Sequence, residues 1–375
     1  MEKIQMVDLT TQYQKIKSQI DGEIENVLLS GQYINGKAVS DFSGELGKFT
    51  GAPYVVPCGN GTDALQIALM ALDLKEGDEV ILPAFTYAAA IEAVALLKLN
   101  PVLIDVNPKT FNMDPEIILE AISANTRVIL PVHLFGQSCD MEPILEIAEK
   151  YGLFVIEDNA QSLGTECMFS NGERKKTGTI GTIGTYSFFP TKNLGCFGDG
   201  GAITTNDEKL YTRMKMIAVH GQSKKYTHDV IGCNSRLDTL QAAILNVKLS
   251  YLNEYLQARM QAAAFYRENL KDLDFIELPE SVSYSTHTYN QFTLKVKSGK
   301  RDELQEYLQQ NDIPTVVYYP KPIHAQTAYK YLIKKGTSLS VSEQLCNEVL
   351  SLPMHTELKE DQLYYICEKL RNFNA

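Results

Sequence analysis

One lysine, Lys192, lies in a short glycine-rich segment between two apolar stretches that are typical of β-strands. The stretch before it, residues 186–189, ends at Pro190, which cannot donate a hydrogen bond within a sheet. Four glycines follow the lysine, at positions 195, 198, 200 and 201. A lysine on such a turn is usually solvated. Its amine becomes a reactive nucleophile for carbonyl groups only if other segments bury it and supply partners.

A second segment could bind an anion near such an amine. Residues 58–63 read Cys-Gly-Asn-Gly-Thr-Asp and precede an apolar helical stretch. Glycines allow backbone amides to approach a ligand closely, and the first amides of a helix bind phosphate well. Gly61 and Thr62 are therefore candidate phosphate ligands, with Thr62 or Asp63 as the helix cap. An ordinary strand–turn–helix junction explains the same residues equally well.

Apolar strands alternate with helical stretches through the first half of the chain. We predict strands at 80–83, 102–105, 128–132 and 153–156, with helices at 87–99, 115–123 and 141–150. Continuous apolar strands that each precede a helix are typical of a doubly wound, mostly parallel sheet of the α/β class. Ligands bind beyond the carboxyl ends of such strands. Phe85, Asp158 and Lys192 follow strands and should therefore converge at one edge.

The second half of the chain has a different pattern. The helical periodicity from 238 to 270 predicts one long helix that bridges two domains. A predicted strand at 314–319 and several shorter helices indicate a smaller α+β domain beyond it. We therefore expect a large domain at 1–245, which includes an N-terminal helical segment, and a small C-terminal domain at 246–375.

Composition and charge exclude several classes of function. The 375 residues are 44% apolar, enough for more than one core, and the net charge is −11. An acidic chain is a poor candidate for binding nucleic acid or an anionic membrane, and an anionic substrate would need local cations. The seven cysteines are scattered without a C-x-x-C pair, which indicates reduced thiols and a cytoplasmic protein. We expect no membrane span, no signal peptide and no metal site.

Together the candidate residues match what pyridoxal phosphate requires of a protein. Lys192 would bond to the aldehyde as a Schiff base, and Asp158 would keep the pyridine nitrogen protonated. Phe85 would stack on the ring, while amides of the segment 58–63 and the Ser187 hydroxyl would hold the phosphate. Each residue alone has a plainer explanation, such as a helix cap for Asp158 or a core side chain for Phe85. Their joint order along the chain favours the cofactor site.

Five motifs in sequence order resemble those of the DegT-type sugar-nucleotide aminotransferases. They are Gly-Asn-Gly-Thr-Asp-Ala-Leu at 59–65, Glu-Asp-Asn-Ala-Gln-Ser at 157–162, Ser-Phe-Phe-Pro-Thr-Lys-Asn-Leu-Gly at 187–195, Gly-Asp-Gly-Gly-Ala at 198–202 and Asn-Ser-Arg-Leu-Asp-Thr-Leu-Gln-Ala-Ala at 234–243. The resemblance extends over nearly the whole chain. It implies an aspartate-aminotransferase-like fold of type I, pyridoxal phosphate as cofactor and a keto sugar on a nucleotide carrier as substrate.

The resemblance also implies roles for individual residues. Lys192 would be both the Schiff-base lysine and the base that moves the proton, and Asp158 would hold the pyridine nitrogen. Gln161 would hydrogen-bond the ring oxygen. Asn234 would reach the phosphate in the partner subunit, so that the active site requires a homodimer. Phe85 would be the stacking aromatic residue.

Within this family the sequence is most similar to UDP-2-acetamido-2-deoxy-3-oxo-D-glucuronate aminotransferases, which make a 3-amino uronate for bacterial surface polysaccharides such as O-antigen. L-Glutamate would be the amino donor. Arg236 would pair with the uronate carboxylate or the diphosphate, and Tyr318, Tyr319 and His324 would lie near the substrate. Those enzymes tend to have His-Tyr-Pro where this chain has Tyr-Tyr-Pro at 318–320.

Other functions remain open from the sequence. The main alternative substrate is a dTDP-linked 3-keto or 4-keto-6-deoxyhexose, which has no carboxylate for Arg236. A related dehydratase would carry histidine at the position of Lys192. A non-catalytic regulator that binds the cofactor would be expected to lack Lys192 or Asp158, or to carry a DNA-binding domain.

Overall fold

The computed structural model describes residues 2–333 and 338–373. Within them, helices α1 to α12 span Leu9–Ser30, Lys37–Thr50, Gly61–Met70, Ala89–Leu96, Pro115–Ala121, Met141–Tyr151, Glu208–Ile217, Thr239–Ser250, Leu252–Leu270, Arg301–Gln310, Ser340–Glu348 and Glu360–Arg371. Strands β1 to β14 span Tyr54–Cys58, Glu79–Pro83, Asn100–Ile104, Thr126–Ile129, Phe154–Asp158, Glu166–Met168, Arg174–Lys176, Ile183–Ser187, Gly201–Thr205, Gln222–Lys224, Thr227–His228, Ile276–Glu277, Phe292–Val296 and Val349–Leu352.

A seven-stranded sheet forms the centre of the larger part of the molecule. Its strand order is β1-β9-β8-β5-β4-β2-β3. Strand β9 pairs antiparallel with β1 and β8, whereas β8, β5, β4, β2 and β3 pair in parallel. The predicted α/β class with a mostly parallel sheet is therefore confirmed.

Strand β2 shows why this sheet is buried on both faces. Val80, Ile81 and Leu82 are all fully buried. Successive side chains of a strand point to opposite faces. Val80 and Leu82 pack into a core with helices α3 and α4, while Ile81 packs into a separate core with α5 and α6. Helices on both faces explain the continuous apolar strands in the sequence.

A smaller antiparallel sheet, β12-β13-β14, forms the centre of the C-terminal part. Phe292 and Leu294 of β13 pack against Tyr266 of α9 and Ile366 of α12 in a core of their own. This matches the expected smaller α+β unit. The expected division between residues 245 and 246 falls inside α8, and the exact domain boundary stays a prediction.

The expected single helix from 238 to 270 is wrong. Two helices, α8 and α9, meet at Tyr251, whose backbone φ is −99° and ψ is 0°. The Ser250 hydroxyl donates to the carbonyl of Val247, and the Tyr251 amide donates to the carbonyl of Lys248 instead. A serine hydroxyl that bonds to a helix carbonyl in this way slightly destabilises and often bends a helix.

The expected strand at 314–319 is also wrong. Only one isolated bridge forms there in the described structure, between Val316 and Ser351. Tyr318 and Tyr319 leave the small sheet and extend towards the large one. None of the helices in the described ranges is both long and apolar enough to traverse a bilayer.

Candidate active site

A cavity of about 800 Å³ opens at the carboxyl ends of the parallel strands. Its walls come from the ends of β5 and β8, the start of α3 and the Tyr318–Tyr319 segment. It is lined by Asn60, Gly61, Thr62, Asp63, Leu65, Thr86, Tyr87, Ala89, Val132, Asp158, Ala160, Gln161, Ser187, Phe189, Thr191, Lys192, Asp199, Gln291, Tyr318 and Tyr319. Its position is the one that a doubly wound sheet predicts for a ligand site.

Lys192 stands on a turn that the chain makes between β8 and β9. Its backbone amide donates to the carbonyl of Phe189 at 2.9 Å. Gly195 then folds back against Pro190, and a Cβ on Gly195 would lie 2.3 Å from the Pro190 carbonyl oxygen. Only glycine fits this close approach. The turn therefore closes behind the lysine and leaves its side chain in the cavity.

The flanks of Lys192 are held from the small sheet. The side chain of Asn290, just before β13, donates to the Thr191 carbonyl at 3.4 Å and to Asn193 Oδ1 at 3.3 Å. Asn193 in turn donates to the Leu163 carbonyl. These contacts fix the backbone on both sides of the lysine, whereas its amine has no hydrogen bond or ion pair within residues 2–333 and 338–373.

Burial in the cavity prepares this amine for chemistry. Burial lowers the pKa of Lys192 to about 8, although the negative charge of Asp158 opposes the shift. Roughly a tenth of the amine is then neutral at pH 7 and can act as nucleophile or base. Burial also raises the pKa of Asp158, while its hydrogen bond from the Ala160 amide and the charge of Lys192 lower it.

The start of α3 forms a cradle for an anion. Asn60 caps the helix, because its Oδ1 accepts the Asp63 amide at 2.8 Å, so the expected cap at Thr62 or Asp63 is wrong. Gly61 is the first helical residue and packs on Ser187, whose Cβ would lie 2.7 Å from a Cβ at Gly61. The missing side chain leaves space beside amides that a phosphate could fill.

Ser235 joins this cradle to a distant segment, a contact that the sequence did not indicate. Its hydroxyl accepts the Gly59 amide at 2.9 Å and donates to Asp63 Oδ2 at 2.6 Å. Its neighbours Asn234 and Arg236, both predicted site residues, do not line the cavity of their own chain, and Asn234 is exposed. The structure therefore does not bring these two residues together with Lys192 within one chain.

Gln161 is oriented by the backbone. Its Oε1 accepts the Phe135 amide at 2.7 Å, and its Nε2 donates to the Tyr319 hydroxyl at 3.1 Å. Nε2 carries a second N–H, which remains for a ligand. Burial raises the pKa of Tyr319 well above its ordinary value, so this hydroxyl stays protonated and can itself donate.

The structure does not place Phe85 in the cavity. Its side chain is 1% exposed and packs with the rings of Phe111 and Phe135 at centroid distances of 6.0 and 6.5 Å. Tyr87, two residues further along, lines the cavity instead and is 62% exposed. Periodicity cannot show which of the two aromatic residues lines the cavity, because the backbone leaves regular strand geometry at Pro83.

His324 also lies outside the cavity lining. Its Nε2 is 2.9 Å from Glu343 Oε1 on α11. Tyr318 and Tyr319 do line the cavity, as does Gln291, which the sequence did not single out. The arrangement thus combines a nucleophilic amine, a buried carboxylate and an anion cradle around one space.

Comparison with known proteins shows that the chain is similar to a family of aminotransferases. The sequence model of the DegT/DnrJ/EryC1/StrS aminotransferase family matches residues 14–371. The chain is 43% identical to a pleiotropic regulatory protein of Geobacillus stearothermophilus, over 99% of this chain and 98% of the relative. It is equally identical, at 43%, to a UDP-2-acetamido-2-deoxy-3-oxo-D-glucuronate aminotransferase of Pseudomonas aeruginosa, over 98% and 100%.

A further relative and a solved structure add to this comparison. The dTDP-3-amino-3,6-dideoxy-alpha-D-galactopyranose transaminase of Aneurinibacillus thermoaerophilus is 41% identical, over 99% of both chains. The crystal structure of NtdA from Bacillus subtilis with bound cofactor PMP superposes with a TM-score of 0.90 at 33% identity, covering 99% of this chain and 85% of that one.

Proposed function

The chain belongs to the DegT/DnrJ/EryC1/StrS aminotransferase family, and we propose that it transfers an amino group from L-glutamate to a keto sugar carried on a nucleotide. It has the aspartate-aminotransferase-like fold of type I and depends on pyridoxal phosphate, as members of this family do. The observation that carries the proposal is the free amine of Lys192, which shares a cavity with Asp158 and the anion cradle.

The cavity fits pyridoxal phosphate. The glycine-lined start of α3 would take the phosphate, with Gly61, Thr62 and Ser187 around it. Asp158 would pair with the ring nitrogen and Gln161 Nε2 would donate to the ring oxygen. Tyr87, rather than the expected Phe85, is the aromatic residue that would cover the ring. When bound, the cofactor exchanges its aldehyde oxygen for an amine and withdraws electrons from the carbon attached to that nitrogen.

The residues of this chain would then handle protons and charge. Lys192 Nζ, with its lowered pKa, would take the proton from the α-carbon of the amino donor. In the second half-reaction Nζ would deliver a proton to the sugar carbon that gains the amine. The buried carboxylate of Asp158 would stay next to the pyridine nitrogen throughout. It would keep that nitrogen protonated, so that the ring can withdraw electrons.

The charge of the cavity supports a homodimer with shared active sites. Among the described residues that line the cavity, Lys192 is the single cation, and three lining residues are acidic: Asp63, Asp158 and Asp199. A nucleotide sugar carries a diphosphate that needs cations. A second copy of the chain would supply them through Arg236, next to Asn234. Exposed Leu29, Tyr226 and Ile231, each at least 80% accessible, would lie in the contact.

We propose C3 of UDP-2-acetamido-2-deoxy-3-oxo-D-glucuronate as the reacting carbon, for synthesis of a surface polysaccharide such as O-antigen. The Pseudomonas aeruginosa relative supports this substrate, and Arg236 would bind its carboxylate. A dTDP-linked 3-keto or 4-keto-6-deoxyhexose is the second candidate, because the dTDP-sugar transaminase is nearly as similar. We also propose a cytoplasmic location, because all seven cysteines are free thiols.

A non-catalytic role is the competing proposal, since one relative at 43% identity is named a pleiotropic regulatory protein. The chain retains both Lys192 and Asp158 in one cavity, and a regulator without catalysis would have no need for a free amine of lowered pKa. This favours the enzyme.

The test is a panel of keto sugar nucleotides, incubated with L-glutamate and pyridoxal phosphate, with the product mass measured. Gain of an amine on the 3-oxo uronate supports the first substrate. Product from a 6-deoxy ketose alone would replace it with the second. Lys192→Ala is the control, and turnover by this variant would overturn the assignment of the lysine.

A further inference from the structure

Lys248, on α8, is a buried cation that the proposed chemistry does not use. Its side chain is 2% exposed, and its Nζ donates to the carbonyl oxygen of Gly195 at 2.6 Å. The face of the Phe197 ring lies 5.4 Å from Nζ. No carboxylate within residues 2–333 and 338–373 forms an ion pair with it.

Such a group is unfavourable in a protein core. An ammonium group loses its hydration when it is buried, and without a counter-charge this loss is costly. One carbonyl and one aromatic ring compensate for it only in part. Burial, together with the charge of Arg259, lowers the pKa of Lys248 to about 8, while Cys196 opposes the shift. Methionine has nearly the same length and would fill this space without that penalty. The ammonium therefore contributes something that an apolar side chain would not.

Its acceptor belongs to the turn that carries Lys192. Gly195 follows Lys192 by three residues and lies against the Pro190 carbonyl, so any shift of Gly195 moves the base of the turn. The same helix also binds Phe197, whose amide and carbonyl pair with the Gln241 side chain at 2.9 and 3.1 Å. Helix α8 thus holds the chain just after Lys192 at two points, and Lys248 makes the contact nearer to it.

We propose that Lys248 is a positioning residue, which anchors the turn at Gly195 so that the amine of Lys192 is directed into the cavity. The proposal rests on the proposed role of Lys192 as the residue that binds the cofactor covalently. Lys248 itself lines no part of the cavity, and it acts on the reaction only through the backbone of the turn. Asn290 holds the flanks of Lys192 from the opposite side.

The test is Lys248→Met. Apo-protein is mixed with pyridoxal phosphate and quenched with borohydride at intervals, and mass spectrometry follows the covalent adduct on the Lys192 peptide. We expect Lys248→Met to fold with a thermal midpoint no lower than that of the wild type. Its rate of attachment should fall about tenfold or more, as expected when a reacting group is displaced by a fraction of an ångström.

Lys176→Met is the matched control. Lys176 also donates to a backbone carbonyl, that of Phe49, and also lies over an aromatic ring, at 3.8 Å. It sits on β7, away from the cavity lining. Its variant should attach the cofactor at the wild-type rate, which excludes a general effect of replacing a lysine that donates to a backbone carbonyl beside an aromatic ring.

Equilibrium dialysis separates positioning of the amine from general damage to the site. Lys192→Ala and the double variant Lys192→Ala/Lys248→Met should bind pyridoxal phosphate with equal, non-covalent affinity. Attachment by Lys248→Met at the wild-type rate overturns the proposal and leaves the proposed function intact. Weaker binding by the double variant also overturns it, because Lys248 would then support the whole site. Absence of an adduct on wild-type Lys192 overturns the proposed function and this inference together.

Discussion

The imidazole of His133 and the carboxylate of Glu157 form a hydrogen-bonded pair at 2.9 Å, and neither side chain is exposed to solvent. The Cys139 amide donates to His133 Nδ1, so Nε2 carries the proton and donates to Glu157. The carboxylate also accepts three backbone amides, each at 2.7 Å, from Gly178, Ile180 and Gly181. Glu157 thereby fixes the end of β5, where the next residue, Asp158, enters the cavity.

Glu157→Gln should destabilise the protein markedly. The new amide group would face N–H donors on every side, and a buried donor without an acceptor costs free energy. We expect a loss of about 3 kcal/mol of unfolding free energy, the upper end of the cost of leaving a buried polar group unsatisfied. Chemical denaturation monitored by circular dichroism measures it.

Glu166→Gln serves as the comparison for that variant. Glu166 is half-exposed, and its carboxylate lies 3.8 Å from Arg174 in a surface pair. Such pairs contribute about 0–1 kcal/mol. Equal effects of the two substitutions would contradict a structural role for the buried pair.

The lowered pKa of Lys192 predicts a distinct pH profile for its reactivity. Only the neutral amine reacts with an acylating reagent, so labelling of Lys192 in the apo-protein should rise with pH and level off above about 8. Lys271, whose pKa is raised by its hydrogen bond to Glu268, should be labelled only at higher pH. Peptide mass spectrometry across a pH series measures both. Identical profiles for the two lysines would contradict the burial of the Lys192 amine.

Asp158→Asn should separate cofactor attachment from catalysis. Lys192 would still bond to the cofactor, but amino transfer should fall about a hundredfold or more, because the ring nitrogen would lose the charged partner that we propose for it. Loss of the Asp158 charge should also move the labelling midpoint of Lys192 below about 8, since this charge raises the lysine pKa. Asp140→Asn is the control, as Asp140 is half-buried with a raised pKa and does not line the cavity.

Phe85 and Tyr87 should respond to substitution in opposite ways. Phe85→Ala removes a fully buried ring and should cost about 3–5 kcal/mol of stability. Tyr87→Ala removes an exposed ring and should leave the thermal midpoint nearly unchanged, yet weaken binding of pyridoxal phosphate. Tyr87→Phe should restore the affinity. A Tyr87→Ala variant with wild-type affinity would contradict the proposal that Tyr87 stacks on the cofactor ring.

Where a simple rule of sheet geometry applied, the sequence predicted residues that do line the cavity. Asp158 and Lys192 both follow predicted strands, and the parallel arrangement of β5 and β8 brings them to one edge. Phe85 was misplaced because the rule gives only the edge of the sheet at which a residue lies. The chain leaves strand geometry at Pro83, so the rule does not give the direction of the Phe85 side chain. Neither composition nor periodicity could show the break at Tyr251, where the Ser250 hydroxyl donates to a helix carbonyl.

Contacts between distant segments were beyond the sequence for a different reason. Ser235 meets Asp63 across 172 residues, and Lys248 meets Gly195 across 53. Ser235 and Lys248 are polar residues of a type common in their own segments. No local sequence pattern indicates which distant residue either one contacts. From the sequence alone a lysine on a helix is expected to be solvated, and only the packing of that helix shows that it is buried.

The proposed homodimer with shared active sites predicts complementation between two inactive variants. Lys192→Ala and Asn234→Ala should each be inactive alone as homodimers. If Asn234 acts in the partner's site, a mixed dimer has one site with both residues intact and one with neither. Random reassortment should then restore about a quarter of wild-type activity per total protein.

That result depends on the position of Asn234 outside its own cavity. If Asn234 instead served its own subunit, every site of a mixed dimer would lack one of the two residues, and co-refolded or co-expressed variants would stay inactive. Exposed Ser223, in the hairpin of β10, provides the control. Ser223→Ala should be fully active alone, so that recovery in the mixture traces to the Lys192 and Asn234 positions.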